Sequence, residues 1–278
     1  MSQVAVVTDS TAYLPDGCDG VRVVPLRVHL GSRTAVDGVD VTPGDVVSAL
    51  RAKVSVSTSR PSPADFAAAF QAALDAGADN VVSIHLAAAL SGTWESAVLA
   101  SQDFGYGVVR VVDSRGTAAG LGFAVRAAAQ AAAEGSSAAQ VQQAATSVVD
   151  RTRTLFYVDT LEYLRRGGRI GTAAALFATS LSVKPLLQMV EGQIVALEKV
   201  RTPTRALARL VALTVDAAGR GPVDIAVHHL QAQSRAESVA AQLRAQVPSV
   251  AELTVSELGP VLGAHLGPGV IGAVVVRR

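Results

Sequence analysis

The stretch Val4-Ala5-Val6-Val7-Thr8-Asp9-Ser10-Thr11 decides the fold class. Its first five residues are apolar or β-branched, which is typical of a buried strand, and Asp9-Ser10 marks the turn that follows. The arrangement recurs at residues 108–112, where four valines interrupted by Arg110 are followed by Asp113-Ser114. Both runs are therefore predicted to be strands that end in a turn.

Helix signals alternate with these strands. Thr42-Pro43-Gly44-Asp45 and Ser62-Pro63-Ala64-Asp65 each offer a hydroxyl N-cap, a proline at the first helical position and an acid at the third. Further strands are predicted at 21–26 and 81–84, and further helices over 92–100, 118–133 and 138–149. Alternation of strands and helices predicts a doubly wound, mostly parallel sheet in this half.

The pattern changes near residue 155. Apolar runs at 183–190 and 193–197 flank Glu191-Gly192, which favours a hairpin, and they precede helices at 203–218 and 234–246 and strands at 223–227, 253–256 and 270–276. We therefore predict an α/β protein of two domains. Residues 1–155 form the doubly wound domain and residues 156–278 form a smaller α/β domain with a mixed sheet, with a ligand cleft between them.

Composition excludes several classes of function. The 278 residues are 50% hydrophobic and 17% charged, with 24 basic and 23 acidic side chains, so no basic surface for nucleic acid is expected. Cys18 is the only cysteine, which excludes an internal disulfide. No apolar run is long enough for a membrane span and the first residues do not resemble a signal peptide, so a cytoplasmic location is expected.

The sequence has no cofactor-binding motif in the structural context that such a motif needs. The chain has no phosphate loop of the G-x-x-x-x-G-K-[ST] type. The segment from Gly267 to Gly272 matches G-x-G-x-x-G, but a strand-like run follows it where a dinucleotide site needs a helix. His228 and His229 are adjacent on a predicted strand and point to opposite faces, so they cannot share an ion. We expect no metal and no cofactor.

Two hydroxyl-rich loops precede helices of the first half. Ser91 and Thr93 lie in Leu90-Ser91-Gly92-Thr93, and Thr58 and Ser59 lie in Ser57-Thr58-Ser59-Arg60-Pro61-Ser62-Pro63. Loops at the carboxyl ends of parallel strands meet at one edge of the sheet, and helix N-termini hold anions there. The pattern predicts a carboxylate-binding site, although each loop would also serve as an ordinary helix cap.

A serine hydrolase is the alternative. Ser91 followed by Asp113 or Asp159 and then by His265 has the order of a hydrolase triad. A nucleophile elbow needs glycine two residues before and after the serine, and Ala89 and Thr93 stand there instead. The carboxylate site is therefore the stronger hypothesis.

The chain resembles the DegV family, which includes the fatty-acid-binding subunits of bacterial fatty acid kinase. The resemblance covers nearly the whole chain and rests on five segments in order: Asp9-Ser10-Thr11-Ala12, Thr58-Ser59-Arg60-Pro61-Ser62, Leu90-Ser91-Gly92-Thr93-Trp94-Glu95-Ser96-Ala97, Leu161-Glu162-Tyr163-Leu164-Arg165-Arg166-Gly167-Gly168-Arg169-Ile170 and His265-Leu266-Gly267-Pro268-Gly269. The family more often has Gln at the position of Arg60, Tyr at that of Trp94, and hydroxyl residues at those of Ala87 and Ala88.

The resemblance implies a lipid-binding protein that catalyses no reaction itself. A long-chain fatty acid would lie in a buried interdomain tunnel, its carboxylate held by Thr58 and Ser91 with His265 nearby. A separate ATP-binding kinase subunit would convert it to an acyl phosphate for phospholipid synthesis. The absence of a phosphate loop agrees with this division of labour.

The arginine cluster of the fourth segment is a candidate docking site. Arg165, Arg166 and Arg169 surround Gly167-Gly168, which predicts a tightly turned, exposed loop. Guanidinium groups suit phosphates and acidic protein surfaces. Our hypothesis is that the loop docks the kinase subunit or makes transient contact with an anionic membrane surface; a purely structural role is the alternative.

Overall fold

The computed structural model describes residues 3–14, 18–171 and 184–278. Its strands are β1 (Val4–Asp9), β2 (Arg22–Val24), β3 (Arg27–Leu30), β4 (Arg33–Val36), β5 (Val56–Ser59), β6 (Asn80–His85), β7 (Val109–Asp113), β8 (Thr152–Tyr157), β9 (Lys184–Val190), β10 (Gln193–Val200), β11 (Val223–His229), β12 (Val250–Glu257) and β13 (Ile271–Arg277). Its helices are α1 (Pro43–Arg51), α2 (Pro63–Asp75), α3 (Thr93–Ser101), α4 (Ala119–Ala133), α5 (Ala138–Arg151), α6 (Glu162–Arg166), α7 (Pro203–Ala218), α8 (Gln233–Gln246) and α9 (Pro260–Leu266).

The chain divides into two compact units. Unit 1 contains Met1–Arg27 and Ser59–Asp150, and unit 2 contains Val28–Thr58 and Arg151–Arg278. Sequence reasoning placed all of 1–155 in one domain, whereas the segment Val28–Thr58 groups here with the C-terminal half. The physical reason is packing: this segment folds into a three-stranded sheet in the order β4-β3-β5, and its helix α1 lies against α9.

Unit 1 is built on the predicted parallel sheet. Its strand order is β2-β1-β6-β7, and every pairing is parallel. Helices α2 and α3 pack on this sheet, where Phe66 and Phe70 are fully buried against Val7 and Val81. The capping signal before α2 is confirmed, because Ser62 and Asp65 form a reciprocal capping box.

Unit 2 contains the predicted mixed sheet. Its order is β10-β9-β8-β13-β11-β12, in which β11 and β12 are parallel and the other neighbours are antiparallel. The predicted hairpin joins β9 to β10, and Glu191 and Gly192 both adopt positive φ, 47° and 76°, as a tight type I′ turn requires. The α/β fold class is confirmed.

The elements that sequence reasoning missed are short. Strands β3, β4 and β5 have four residues each, β8 has six, α6 has five and α9 has seven. Segments of this length contain too few residues to display a period of 2.0 or 3.6. They matter because β5 and α9 carry residues of the candidate site.

Candidate functional site

Thr58 and His265 form a hydrogen-bonded pair in unit 2. Thr58 lies near the end of β5, and its Oγ1 is 2.8 Å from Nε2 of His265, 207 residues further along the chain. His265 lies in the last turn of α9, a helix that begins with Pro260 and ends where Gly267 adopts a φ of 73°. The structure thus joins two residues that the resemblance placed at the head group.

Burial keeps His265 neutral. Desolvation, helped by the positive charge of Arg169, lowers the pKa of His265 from 6.5 to about 4. The ring packs so closely on Gly167 that a Cβ there would lie 2.2 Å from Nδ1 of His265. Nδ1 is buried and finds no hydrogen-bond partner among the described residues.

The neutral ring can be protonated on either nitrogen, and the choice decides what Thr58 offers to a ligand. If Nε2 is protonated, it donates to Oγ1 of Thr58, and the hydroxyl proton of Thr58 is then free for an acceptor such as a carboxylate. If Nδ1 is protonated, the Thr58 hydroxyl donates its only proton to Nε2, and the buried Nδ1–H of His265 has no acceptor among the described residues. The first arrangement suits an anionic ligand.

Ser91 and Thr93 form a second hydroxyl pair, in unit 1. Their oxygens are 2.8 Å apart, and Oγ of Ser91 also accepts the backbone N–H of Thr93 at 3.3 Å. Gly92, not Ser91, is the N-cap of α3, and it has no side chain to occupy the first N–H groups of the helix. Ser91 remains half-buried, whereas Thr93 is fully buried.

Arg60 lies across the start of α3. Its Nη1 is 3.3 Å from the carbonyl oxygen of Gly92 and 2.7 Å from Oε2 of Glu95. A Cβ at Gly92 would lie 1.7 Å from Nη1, so the contact depends on glycine. Because Glu95 balances its charge, Arg60 adds little net positive potential to the hydroxyl pair.

The other departures from the family pattern are found in the same region. Ala87 is fully buried, and the backbone N–H of Ala88 donates to Oδ1 of Asp113 at 3.2 Å. Nε1 of Trp94 is buried and finds no partner among the described residues. Ser59, the remaining predicted site residue, is half-buried.

Sequence reasoning missed a buried network at the carboxyl ends of β1 and β6. Oδ2 of Asp9 is 3.1 Å from Nδ1 of His85 and accepts the N–H of Leu86 at 2.9 Å, while Nε2 of His85 is 2.6 Å from Oγ of Ser83. Oδ1 of Asp9 accepts the N–H and hydroxyl of Thr11. Asp9, Ser83 and His85 are each 0% exposed, so the network joins two strands and fixes the chain that leads to Ser91. Nothing in the local spacing of these residues indicates it.

The geometry counts against the hydrolase alternative. Nε2 of His265 is bonded to Thr58, and Nδ1 has no partner among the described residues, so no carboxylate orients the ring there. Asp113 accepts two backbone N–H groups. Asp159 accepts a tyrosine hydroxyl and a lysine ammonium group. Among the described residues, His265 therefore has no carboxylate partner that would prepare it to act as the base of the predicted triad.

The arginine cluster divides into exposed and half-buried members. Arg165 and Arg166 are exposed on α6, and Arg166 forms an ion pair with Glu162 one turn earlier. Arg169 is half-buried, donates to the carbonyl of Gly167 and acts on the pKa of His265. Arg169 thus belongs to the surroundings of His265 as well as to the loop.

The described residues contain neither a cluster suited to a metal ion nor a helix suited to a membrane. Within residues 3–14, 18–171 and 184–278, no three His, Cys, Asp or Glu side chains come together in a way that could hold a metal ion. No helix in that part of the chain is both long and apolar enough to cross a membrane.

Comparisons with known proteins cover nearly the whole chain. A family model described as "Uncharacterised protein, DegV family" matches residues 3–278. A DegV domain-containing protein of Streptomyces coelicolor is 49% identical over 99% of both chains. A DegV domain-containing protein of Mycobacterium tuberculosis is 39% identical over 98% of this chain and 96% of its own.

Solved structures agree with these matches. A DegV family protein from Thermus thermophilus, described as fatty acid binding, superimposes with a TM-score of 0.94 at 35% identity, covering 99% of this chain and 100% of that one. DegV of Bacillus subtilis, described as a fatty acid binding protein, superimposes with a TM-score of 0.89 at 30% identity over 100% of both chains. The chain belongs to the DegV family.

Proposed function

We propose that this protein binds a long-chain fatty acid and presents its carboxylate to a separate ATP-dependent kinase, which forms an acyl phosphate for phospholipid synthesis. The protein itself catalyses no reaction in this proposal. The observation that carries it is the pair formed by Thr58 with a buried, neutral His265. Likeness to DegV proteins described as fatty acid binding supports the choice of ligand.

Hydroxyl groups hold the carboxylate in this proposal. Thr58 donates its proton to the head group while Nε2–H of His265 donates to Thr58, and Ser91 supplies a second donor. Ser59 and Thr93 complete the polar surroundings. Two contacts support the use of both hydroxyl pairs in this proposal. Thr58 contacts His265, and Arg60, two residues later in the chain, contacts Gly92 at the start of α3.

The expected affinity is high. At about 0.8 kcal/mol per buried methylene, roughly 14 methylenes contribute up to about 11 kcal/mol. Losses of rigid-body and chain entropy remove several kcal/mol of this. Micromolar or tighter binding remains, and only the tight end of this range would keep the ligand on the protein through purification.

The binding proposal is tested by identifying the lipid that accompanies the protein. The purified chain is denatured, extracted and examined by mass spectrometry, and the extracted protein is then titrated with a long-chain fatty acid. We expect a long-chain fatty acid in near-stoichiometric amount. An extract without lipid, together with no uptake of added fatty acid, would contradict the proposal.

The kinase proposal places docking on the arginine cluster, where the same charges serve transient contact with an anionic membrane surface during ligand exchange. Arg169 is a poor probe because it lies beside His265. Arg165 is exposed, so Arg165→Glu should lower acyl phosphate formation with the kinase subunit while leaving fatty acid affinity unchanged. Arg220→Glu, also at an exposed arginine, is the matched control. Equal turnover by Arg165→Glu and the control would exclude docking at Arg165.

A further inference from the structure

Unit 2 contains a parallel crossover, and the carboxyl ends of its strands have no role in the proposed binding of fatty acid. Strand β11, helix α8 and strand β12 follow one another, and β11 pairs parallel with β12 on one edge and antiparallel with β13 on the other. Open α/β sheets bind ligands at the carboxyl ends of parallel strands, where strand order or direction changes. An open depression of about 410 Å³ lies at this end.

His229, the last residue of β11, lines the depression and is only 6% exposed. Its Nδ1 accepts the backbone N–H of Ala232 at 3.4 Å. In a neutral ring the proton therefore resides on Nε2. This Nε2–H has no hydrogen-bond partner among the described residues, so a buried polar side chain offers an unused donor to the depression.

The N-terminus of α8 adds donors at the same place. The N–H groups of Arg235 and Ala236 both bond to the carbonyl of Ala232, at 3.1 Å each, whereas those of Gln233 and Ser234 have no partner in the described part of the chain. Ala232 is the N-cap of this 14-residue helix and has no side chain that could accept them. The guanidinium of Arg235 forms an ion pair with Asp159 at 3.7 Å, and its side chain is 47% exposed, so its other N–H groups can reach a second anion.

Glu257 provides an acceptor opposite these donors. It ends β12 and lines the depression, and its Oε1 accepts the N–H of Gln231 at 3.0 Å. Gln231 has a φ of 48°, so the loop makes its turn without the glycine that such loops often use. In parallel crossovers that bind nucleotides, an acid at the end of the second strand accepts hydroxyl groups of the ligand.

We propose that this depression binds a small hydroxylated phosphate ester. The phosphate lies against Nε2–H of His229, the free N–H groups of α8 and the guanidinium of Arg235. A neighbouring hydroxyl of the ligand donates to Glu257, which makes the ester a better ligand than inorganic phosphate. The site is independent of fatty acid binding, because none of its residues belongs to the Thr58–His265 pair or to the Ser91 loop.

The test titrates the full-length protein, labelled with ¹⁵N, with glycerol 3-phosphate and separately with inorganic phosphate. We expect saturable shifts of the Gln233 and Ser234 amides, with glycerol 3-phosphate binding several-fold more tightly. Arg235→Gln should weaken this binding roughly tenfold, as expected for loss of a charged hydrogen bond. Arg244→Gln, the same change near the other end of α8, should have no effect.

Two more variants separate the donor and acceptor roles. His229→Asn keeps an acceptor for the N–H of Ala232 but lacks the Nε2 donor, so it should weaken binding of both probes. Glu257→Ala removes every side-chain acceptor at this position, so it should abolish the preference for glycerol 3-phosphate without weakening the binding of inorganic phosphate. Failure of the parent to bind either probe at millimolar concentration overturns the proposal, as does equal weakening by Arg235→Gln and Arg244→Gln. If His229→Asn fails to fold, the comparison of Arg235→Gln with Arg244→Gln still tests the proposal.

Discussion

Replacing Thr58 by valine isolates one hydroxyl group. Valine keeps the β-branched shape that suits β5 and exchanges the hydroxyl for a methyl group of similar size, so no cavity forms. Thr58 is half-buried, and its Oγ1 is the only atom in the described part of the chain that forms a hydrogen bond with Nε2 of His265, at 2.8 Å. The change therefore acts on hydrogen bonding in both the free and the bound protein.

Two magnitudes follow. A hydrogen bond to a charged carboxylate contributes about 1.5–3 kcal/mol, so Thr58→Val should weaken fatty acid binding roughly ten- to a hundredfold. In the free protein both nitrogens of His265 would lack partners, and a buried unsatisfied group costs about 1–3 kcal/mol of stability. Binding and stability should both fall.

The assay combines a fluorescent fatty acid titration with urea unfolding. Ser57→Ala, at an exposed hydroxyl of the same strand, is the matched control and should change neither quantity. The double variant Thr58→Val/His265→Phe should recover much of the lost stability, because no polar group is then orphaned, yet it should not recover binding. If Thr58→Val binds fatty acid as tightly as the parent protein, the head group lies elsewhere and the assignment is wrong.

Three further predictions concern stability. Burial lowers the pKa of His228 from 6.5 to about 4, so the unfolded chain takes up a proton at a higher pH than the folded protein does. The free energy of unfolding should therefore fall as the pH drops from 6.5 towards 4. Urea unfolding across this range should show a smaller dependence of that free energy on pH for His228→Gln than for the parent. A Cβ at Gly122 would lie 2.0 Å from the backbone carbonyl oxygen of Tyr13, so Gly122→Ala should cost about 1–3 kcal/mol in urea unfolding, whereas Gly221→Ala, with open space around it, should stay within about 0.5 kcal/mol. Thr42→Ala removes the cap of α1 and should cost about 1 kcal/mol, and a calorimetric melting point equal to that of the parent would contradict this.

Local signals explain why much of the candidate site was predictable. Ser91 was expected at the start of a helix, and the structure puts it one residue before the N-cap Gly92. The environment of Arg60 was not predictable, because it depends on Glu95, 35 residues away, and on the lack of a side chain at Gly92. The buried contact of Asp9 with His85 was equally invisible, since it forms only when β1 and β6 lie side by side.

The sequence by itself determined the types of the long elements, the parallel sheet of the first half, the mixed sheet of the second and the hydroxyl-rich turn at Ser91. These features follow from short-range periodicity, capping residues and turn residues, which act within a few positions of the chain. The predicted loop at Thr58 and Ser59 is instead the end of strand β5. Only the tertiary structure decided that Val28–Thr58 groups with the C-terminal half and that Thr58 meets His265 across 207 residues. It also decided that His265 is neutral, because the desolvation that lowers its pKa comes from packing against groups such as Gly167, which are distant in sequence and close only after folding.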